Sequence, residues 1–314
     1  MHAPYIGNGP YCYANSAAML LASHGFSVPT ASIECLTGVG IGARWWLTER
    51  EIYFSLTPPD VGLGAALGRL GFSITECCGT AGDPPPFEAL RAALTQGPVA
   101  LGPLDMGHLT YRPNAQACAG ADHFVLLTEL TDDYARLHDP DGYANVRISL
   151  DDLGQAWEAG RVTYHRAPYR SWAAPQRDHV PSDEALRTAM LINCRESYDA
   201  ADAVPADRAL NGPAAFAAAA DHLRGGNANG LLTLLTVFGL PLGARRAQDL
   251  SLFLWPADRQ LAEIKQSQSE AFIDGYRHAL DKDAAATADS LLAIGELDEA
   301  FRERLMAIGA ESAA

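Results

Sequence analysis

Lysine is nearly missing from this 314-residue chain: only Lys265 and Lys282 are present, and the remaining basic residues are arginines. Together with abundant Ala, this usage fits a GC-rich bacterial genome. Basic residues are short overall, 23 against 38 acidic ones, for a formal net charge of −15 and a pI of about 4.9. That balance argues against a nucleic-acid partner and against a membrane surface, because both are anionic and repel it. Cysteine is also sparse. Cys12, Cys35, Cys77, Cys78, Cys118 and Cys194 form no CxxC pair and no framework spacing, which excludes a disulfide-stapled scaffold. No His, Cys and carboxylate group has metal-ligand spacing, so no metal is expected. The first residues lack a basic and then apolar run, so no secretory signal is expected. The longest apolar stretch, 230–244, is interrupted by Thr233, Thr236 and Pro241; it is too short to span a bilayer and reads as a buried helix. These absences predict a cytoplasmic protein with reduced thiols. No internal repeat suggests a solenoid.

What is present suits an ordinary globular protein: 48% hydrophobic and 19% charged residues. The length suits two domains. Residues 1–10 carry Pro4, Gly7, Gly9 and Pro10 and read as an extended lead-in. The spacing predicts a helix over 12–24, stopped by Gly25, and a second one capped by Thr30 or Ser32. Further helices are expected over 62–70, 87–95 and 152–159, and strands over 72–76, 99–101, 122–129, 134–138, 145–148 and 162–164. Residues 171–183, with Pro175 and Pro181, read as a linker. Beyond it, helix patterns recur over 183–194, 213–223, 229–239, 257–281, 285–293 and 297–308. The expected fold class is α+β, with helices and an antiparallel sheet in a domain over 1–175 and an all-α domain over 176–314.

Three residues stand out by their order. Cys12 opens the first helix, where unpaired N–H groups and the positive end of the helix dipole favour a thiolate. His123 opens an apolar strand, and Asp139 ends the next one, so a hairpin sets a carboxylate beside the imidazole. Taken singly, each has a plainer role: a small buried thiol, a core histidine and a turn-forming Asp before Pro140. Taken together they form a nucleophile, its base and its orienter. Among the other histidines, His138 alternates to the opposite strand face, His108 lies in a Gly-containing loop, His24 is about three turns along the Cys12 helix, and His165 is a weaker candidate. An oxyanion calls for the Cys12 backbone N–H and a second donor, either the Asn8 or the Asn15 side chain.

The Tyr11-Cys12-Tyr13-Ala14-Asn15-Ser16-Ala17 start, with His123-Phe124-Val125-Leu126-Leu127 and His138-Asp139-Pro140-Asp141-Gly142, resembles the papain-like cysteine-protease superfamily over roughly residues 5–165. The pattern is similar to the bacteriocin-leader peptidases, and closer to the BtrH-type amino-terminal domain of butirosin biosynthesis. With its Ile6-Gly7-Asn8-Gly9-Pro10 lead-in and downstream helices, the chain resembles lincosamide-biosynthesis condensing enzymes of the LmbD and CcbD type. Peptidase relatives carry Gln six residues before the Cys, where this chain has Ile6. That departure weighs against peptidase activity and leaves the oxyanion donor open.

The resemblance implies a papain-like fold and an acyltransferase using Cys12, His123 and Asp139. BtrH-type enzymes move an acyl group from a carrier protein's phosphopantetheine thiol to an aminoglycoside amine. The lincosamide enzymes join a carrier-bound prolyl or alkylprolyl group to a thiol-conjugated amino-octose. Neither needs ATP, since the thioester is already activated, and no cofactor or metal is bound by the chain itself. The implied partners are an aminoacyl carrier protein and an amino sugar. Tyr13, Trp45, Trp46, His108, Tyr111 and Phe124 are candidate walls for the sugar, and Arg44, Arg245 and Arg246 candidate contacts for an acidic carrier. The competing expectations are a cysteine peptidase or amidase with the same residues, and a non-enzymatic scaffold.

Overall fold

The structure is a computed structural model and describes residues 3–164, 166–205, 207–226 and 228–311. The chain begins with helices α1 (Cys12–Ser23) and α2 (Thr30–Thr37), strands β1 (Arg44–Trp46) and β2 (Glu51–Tyr53), and helix α3 (Pro59–Arg69). There follow β3 (Phe72–Cys77), α4 (Phe87–Leu94), β4 (Val99–Asp105), β5 (Asp122–Leu130), β6 (Tyr134–Asp139), β7 (Tyr143–Ser149), α5 (Leu150–Glu158) and β8 (Ser171–Arg177). The rest is α6 (Asp183–Asp202), β9 (Ala209–Asn211), α7 (Pro213–Arg224), α8 (Asn229–Leu234), α9 (Leu240–Leu254), α10 (Arg259–Leu280) and α11 (Ala284–Glu311). The fold is thus α+β, with antiparallel sheets and a helical C-terminal part. One compact unit takes the chain up to Ile33 and from Pro58 to Pro181; the other takes Glu34–Thr57 and the chain from Ser182 onward.

The first unit is built on a sheet of strand order β3-β8-β4-β5-β6-β7, every neighbouring pair antiparallel. β4 is buried throughout and β5 from His123 to Leu127, which is why their sequences run apolar instead of alternating. Val99, Leu101, Val125, Leu127, Leu137 and Trp157 share one core. Burying each such aliphatic side chain stabilises the fold by roughly 1.5–3 kcal/mol. α1 lies along β5, and its residues from Tyr13 to Leu21 are all buried, so its apolar content wraps the helix instead of forming a stripe. It ends where Gly25, at φ 83°, directs its N–H to the Ala22 carbonyl at 3.0 Å. Leu126 pairs with His138, so Asp139, one residue on, comes opposite Val125, two residues from His123 and on its face of β5. Gly142, at φ 101°, then turns the chain into β7.

Two expectations for this unit are corrected. Residues 162–164 form no strand; the chain there is in turns. The strand comes instead from the stretch that reads as a linker: β8 lies between β3 and β4. Pro175 fits because β8 pairs with β4 only at Ser171 and Trp172, and because its register against β3 shifts between Ser73 and Thr75 with Ala174 at φ 48°. Proline is tolerated at such a bulge on the unpaired side.

The second unit packs α7, α9, α10 and α11 against one another and holds a three-stranded antiparallel sheet of order β2-β1-β9. Phe54, Phe216 and Phe272 meet in its core, Phe54 stacked on Phe216 at 5.8 Å and edge-on to Phe272 at 4.8 Å. Two helices expected over 285–293 and 297–308 are one, α11. Gly295 lies within it because Phe216 side-chain atoms come to 3.0 Å of where a Cβ would stand. The 230–244 stretch is α8, a π-helical turn over Leu235–Gly239 and the start of α9, and it is not uniformly buried: Val237 and Phe238 are exposed. Among the described residues no single helix is long and apolar enough to cross a membrane.

Candidate active site

Tyr11, the residue before α1, has a left-handed backbone at φ 76°, uncommon for a bulky side chain, and its carbonyl accepts from the Asn15 N–H at 2.8 Å. This corner places the half-buried Cys12 at the helix start. Because α1 lies along β5, the thiol meets the amide N–H of Phe124, the residue after His123. Burial pushes the Cys12 thiol well above its usual range, and the Asp122 and Asp139 carboxylates add to the rise. The N–H groups of Phe124 and Tyr13 oppose it without reversing it. The expectation of a standing thiolate is thereby corrected: desolvation outweighs the helix N-terminus, and the resting group is a thiol.

His123 is buried, with Nε2 2.6 Å from Asp139 Oδ1. Asp139 is fully buried and collects three further donors: the Asp141 N–H at 2.7 Å on Oδ1, and the Tyr111 hydroxyl at 2.9 Å and Arg112 Nη1 at 3.2 Å on Oδ2. Burial alone raises its pKa, but His123, the Asp141 N–H and Tyr111 outweigh that and bring it down to about 2. The carboxylate is therefore ionised wherever the protein is folded at ordinary pH, and it fixes the imidazole through Nε2, so that Nδ1 is the ring nitrogen directed away from Asp139. The lead-in is tied to the same corner: the Tyr5 hydroxyl donates to the Asp139 carbonyl at 3.0 Å, and the Gly9 N–H to the Pro140 carbonyl at 3.2 Å.

The two oxyanion candidates take different roles. Asn15 is buried, and its Nδ2 donates to Asn8 Oδ1 at 2.8 Å and to the Pro10 carbonyl at 3.1 Å. Its donor end is thus committed inside the protein. The same bond pins the carbonyl of the exposed Asn8, so Asn8 Nδ2 is turned away from Asn15.

Several wall candidates are corrected. Phe124 (0% exposed) and Tyr13 (3%) pack edge-on at 5.7 Å, with Trp172 behind Phe124 at 6.0 Å, so neither offers a face to a ligand. The Tyr111 hydroxyl supports Asp139. Its partner Arg112, which also bonds Asp141 and stacks over Tyr143 at 5.6 Å, has no signal in sequence pattern; only the fold brings it to Asp139. Trp45 is a core residue of the second unit, tilted against His222 at 5.6 Å. Trp46 is half-buried beneath Arg44 at 5.4 Å. His108 Nε2 lies 2.8 Å from Arg161 Nη2.

The arginines expected to make a basic patch are engaged elsewhere. Arg44 donates to Asn211 at 2.9 Å, Arg245 pairs with Asp249 at 3.9 Å, and Arg246 pairs with the buried Glu34 at 2.8 Å. Of the competing histidines, His138 holds the lead-in, with Nε2 3.2 Å from the Ala3 carbonyl and Nδ1 accepting from the Asn145 N–H at 3.1 Å. His24 lies at the far end of α1, just past Ser23. His165 lies outside the described residues. Among the described residues no group of His, Cys, Asp and Glu is placed to hold a metal ion.

A sequence profile described as the YobF C-terminal domain matches residues 205–306. Over 310 residues the chain is 34% identical to a Bacillus subtilis (strain 168) protein described as "Uncharacterized protein YobF", a match that covers 97% of this chain and 99% of that relative.

Proposed function

We propose that this chain, which belongs to the YobF family, is a cysteine acyltransferase that forms an amide from a carrier-protein thioester and the amine of a sugar. The observation that carries the reading is the 2.6 Å His123–Asp139 pair at the start of β5, the strand against which α1 sets Cys12. A helix-borne cysteine facing a sheet-borne His and Asp is the papain-like arrangement, and the sequence resemblance supplies the donor and acceptor classes. A prolyl or alkylprolyl carrier thioester with a thiol-conjugated amino-octose is the first substrate pair to try. The reading places the protein in the cytoplasm, where its six free cysteines stay reduced.

The chemistry follows from a thiol that rests protonated. When the thioester arrives, His123 Nδ1 takes the Cys12 proton as the sulfur attacks the carbonyl carbon. The Cys12 N–H receives the oxyanion. The bond to the phosphopantetheine sulfur breaks, and that sulfur leaves with the proton from His123. The acyl group now sits on Cys12. A neutral amine attacks it, its proton passes through His123 to the departing Cys12 sulfur, and the amide is released. Asp139 stays ionised throughout and stabilises the imidazolium that forms in each half.

Intact-protein mass spectrometry tests this. Wild type mixed with aminoacyl carrier protein is expected to gain one acyl mass, absent in Cys12→Ala and discharged as an amide when an amino sugar is added. No adduct, with both proteins equally able or unable to form amide, removes Cys12 as nucleophile. Cleavage of a peptide without amide synthesis replaces the reading with a peptidase.

A further inference from the structure

Three buried carboxylates of the first unit, Asp139, Asp105 and Asp60, are paired with arginines. Asp139 has Arg112 at 3.2 Å, Asp105 has Arg161 at 2.6 Å, and Asp60 has Arg166 at 2.9 Å with Arg170 at 3.6 Å. Asp122 has no Arg, Lys or His ion-pair partner among the described residues. Its one side-chain hydrogen bond there comes from the Tyr164 hydroxyl, which donates to Oδ2 at 2.6 Å. Yet it is half-buried, it immediately precedes His123 on β5, and its charge acts on the Cys12 thiol more strongly than that of Asp139. Tyr164 closes the group: burial, then Asp122, then Cys12 push its hydroxyl well above the usual range, so it remains a donor. A carboxylate left without a cation disfavours a thiolate at its side and is costly to desolvate when a substrate covers it. An arriving cation removes both penalties.

Building on the acyltransferase reading, we infer that Asp122, held by Tyr164, is the recognition point for the acceptor's ammonium group, so that this site selects amines that are cationic at neutral pH over water and over neutral nucleophiles. Tyr164 occupies Oδ2 and orients the carboxylate; Oδ1 takes the ammonium. The acceptor R–NH3+ binds there beside the acyl-Cys12 carbonyl and releases one proton to solvent. The resulting R–NH2 forms the C–N bond, its second proton goes by way of His123 to the Cys12 sulfur, and the C–S bond breaks. Each turnover thus frees one proton and needs no oxidant, metal or nucleotide. The carboxylate also adds to the burial that lifts the Cys12 thiol, so one group both disfavours a resting thiolate and gathers the second substrate.

The test separates the two steps. Wild-type, Asp122→Asn and Tyr164→Phe proteins are first loaded with acyl carrier protein and checked by intact mass. Their discharge is then timed with water alone, with a cationic primary amine, and with hydroxylamine, which is neutral at pH 7. Asp122→Asn is expected to lower the amine-to-water discharge ratio about tenfold or more, the scale of a lost charged hydrogen bond, with the loss appearing as a higher half-saturating amine concentration. Its hydroxylamine-to-water ratio changes by less than about twofold on the same scale. Tyr164→Phe shifts the amine ratio in the same direction by a smaller factor, and keeps the idea testable if the Asn variant does not fold. An unchanged amine ratio, or an equal fall for hydroxylamine, overturns the assignment. Failure of wild type to form the acyl adduct appears before any amine is added, and brings down the acyltransferase reading together with this inference.

Discussion

Asp139 gathers the polar contacts of its corner of the first unit in one residue. It is an acceptor for an imidazole, a phenol, a guanidinium and a backbone N–H, and it sits at the corner where the lead-in is tied down. Its pKa of about 2 lies below the ordinary carboxylate value of 3.8, so the folded state holds the proton less well than the unfolded chain. The stability this confers is complete above about pH 4 and is lost as pH falls through about 2. Nearly two units correspond to about 2–3 kcal/mol. Asp139→Asn is therefore expected to unfold more easily than wild type at pH 7. The gap between the two, read from urea midpoints, should narrow steadily between about pH 4 and pH 2. A gap that stays constant over that range would mean that the carboxylate contributes nothing through its charge. At this scale the sequence was informative where order sufficed: the His123–Asp139 pair and the place of Cys12 at the start of α1 were legible. Arg112 was not, because nothing in a loop sequence shows that it folds back onto the end of β6. Tyr13 and Phe124 were misread because aromatic side chains beside a nucleophile look the same whether they face a ligand or the core.

Elements with strong period or clear punctuation were legible, and those held by distant partners were not. α1, α4 and β5 to β7 follow from apolar spacing, caps and the Asp-Pro-Asp-Gly turn, and the Ser149 hydroxyl accepts from the Asp152 N–H at 3.1 Å as a capping residue should. β8 was invisible because Ser-Trp-Ala-Ala-Pro-Gln-Arg has no β-branched residue and carries a proline; its strand form is imposed by β3 and β4. β1 was missed because it is only three residues long and, besides the adjacent β2, its partner β9 lies far along the chain. Glycines inside helices are not equivalent. Gly243 on α9 is there for the Phe272 ring, whose nearest atom would stand 2.5 Å from an added Cβ. Gly230 on α8 has open space at the same point. Alanine gains about 1 kcal/mol of helix propensity over glycine, but overpacking a core costs about 1–3 kcal/mol. Gly230→Ala is thus expected to raise the urea midpoint and Gly243→Ala to lower it. A rise for both would mean that Phe272 moves aside freely.

For the whole molecule, two units are found where two domains were expected from the loss of strand signals beyond the 171–183 stretch, but neither their discontinuity nor the strand β9 in the half expected to be all-α was legible. Glu34–Thr57 belongs with the second unit because Trp45, Ile52 and Phe54 are buried in that unit's core and β1 pairs with β9. A reading along the chain favours contiguous domains and has no means of seeing such an excursion. Charge acts at this scale too. The expected basic patch dissolves into ion pairs and a hydrogen bond, Arg246 with Glu34, Arg245 with Asp249 and Arg44 with Asn211. What remains towards a partner is the field of a chain with net charge −15. Carrier proteins are themselves acidic, so under the acyltransferase reading the two approach against repulsion. Salt screens that repulsion, with a Debye length of about 30 Å at 0.01 M falling to about 8 Å at 0.15 M. The rate of Cys12 acylation by limiting carrier protein is therefore expected to rise about two- to fivefold over that range. Acylation by a small uncharged thioester should stay flat, which separates encounter from chemistry. A steep fall with the carrier protein would instead mean attraction at the docking surface, and would direct the search to arginines other than Arg44, Arg245 and Arg246.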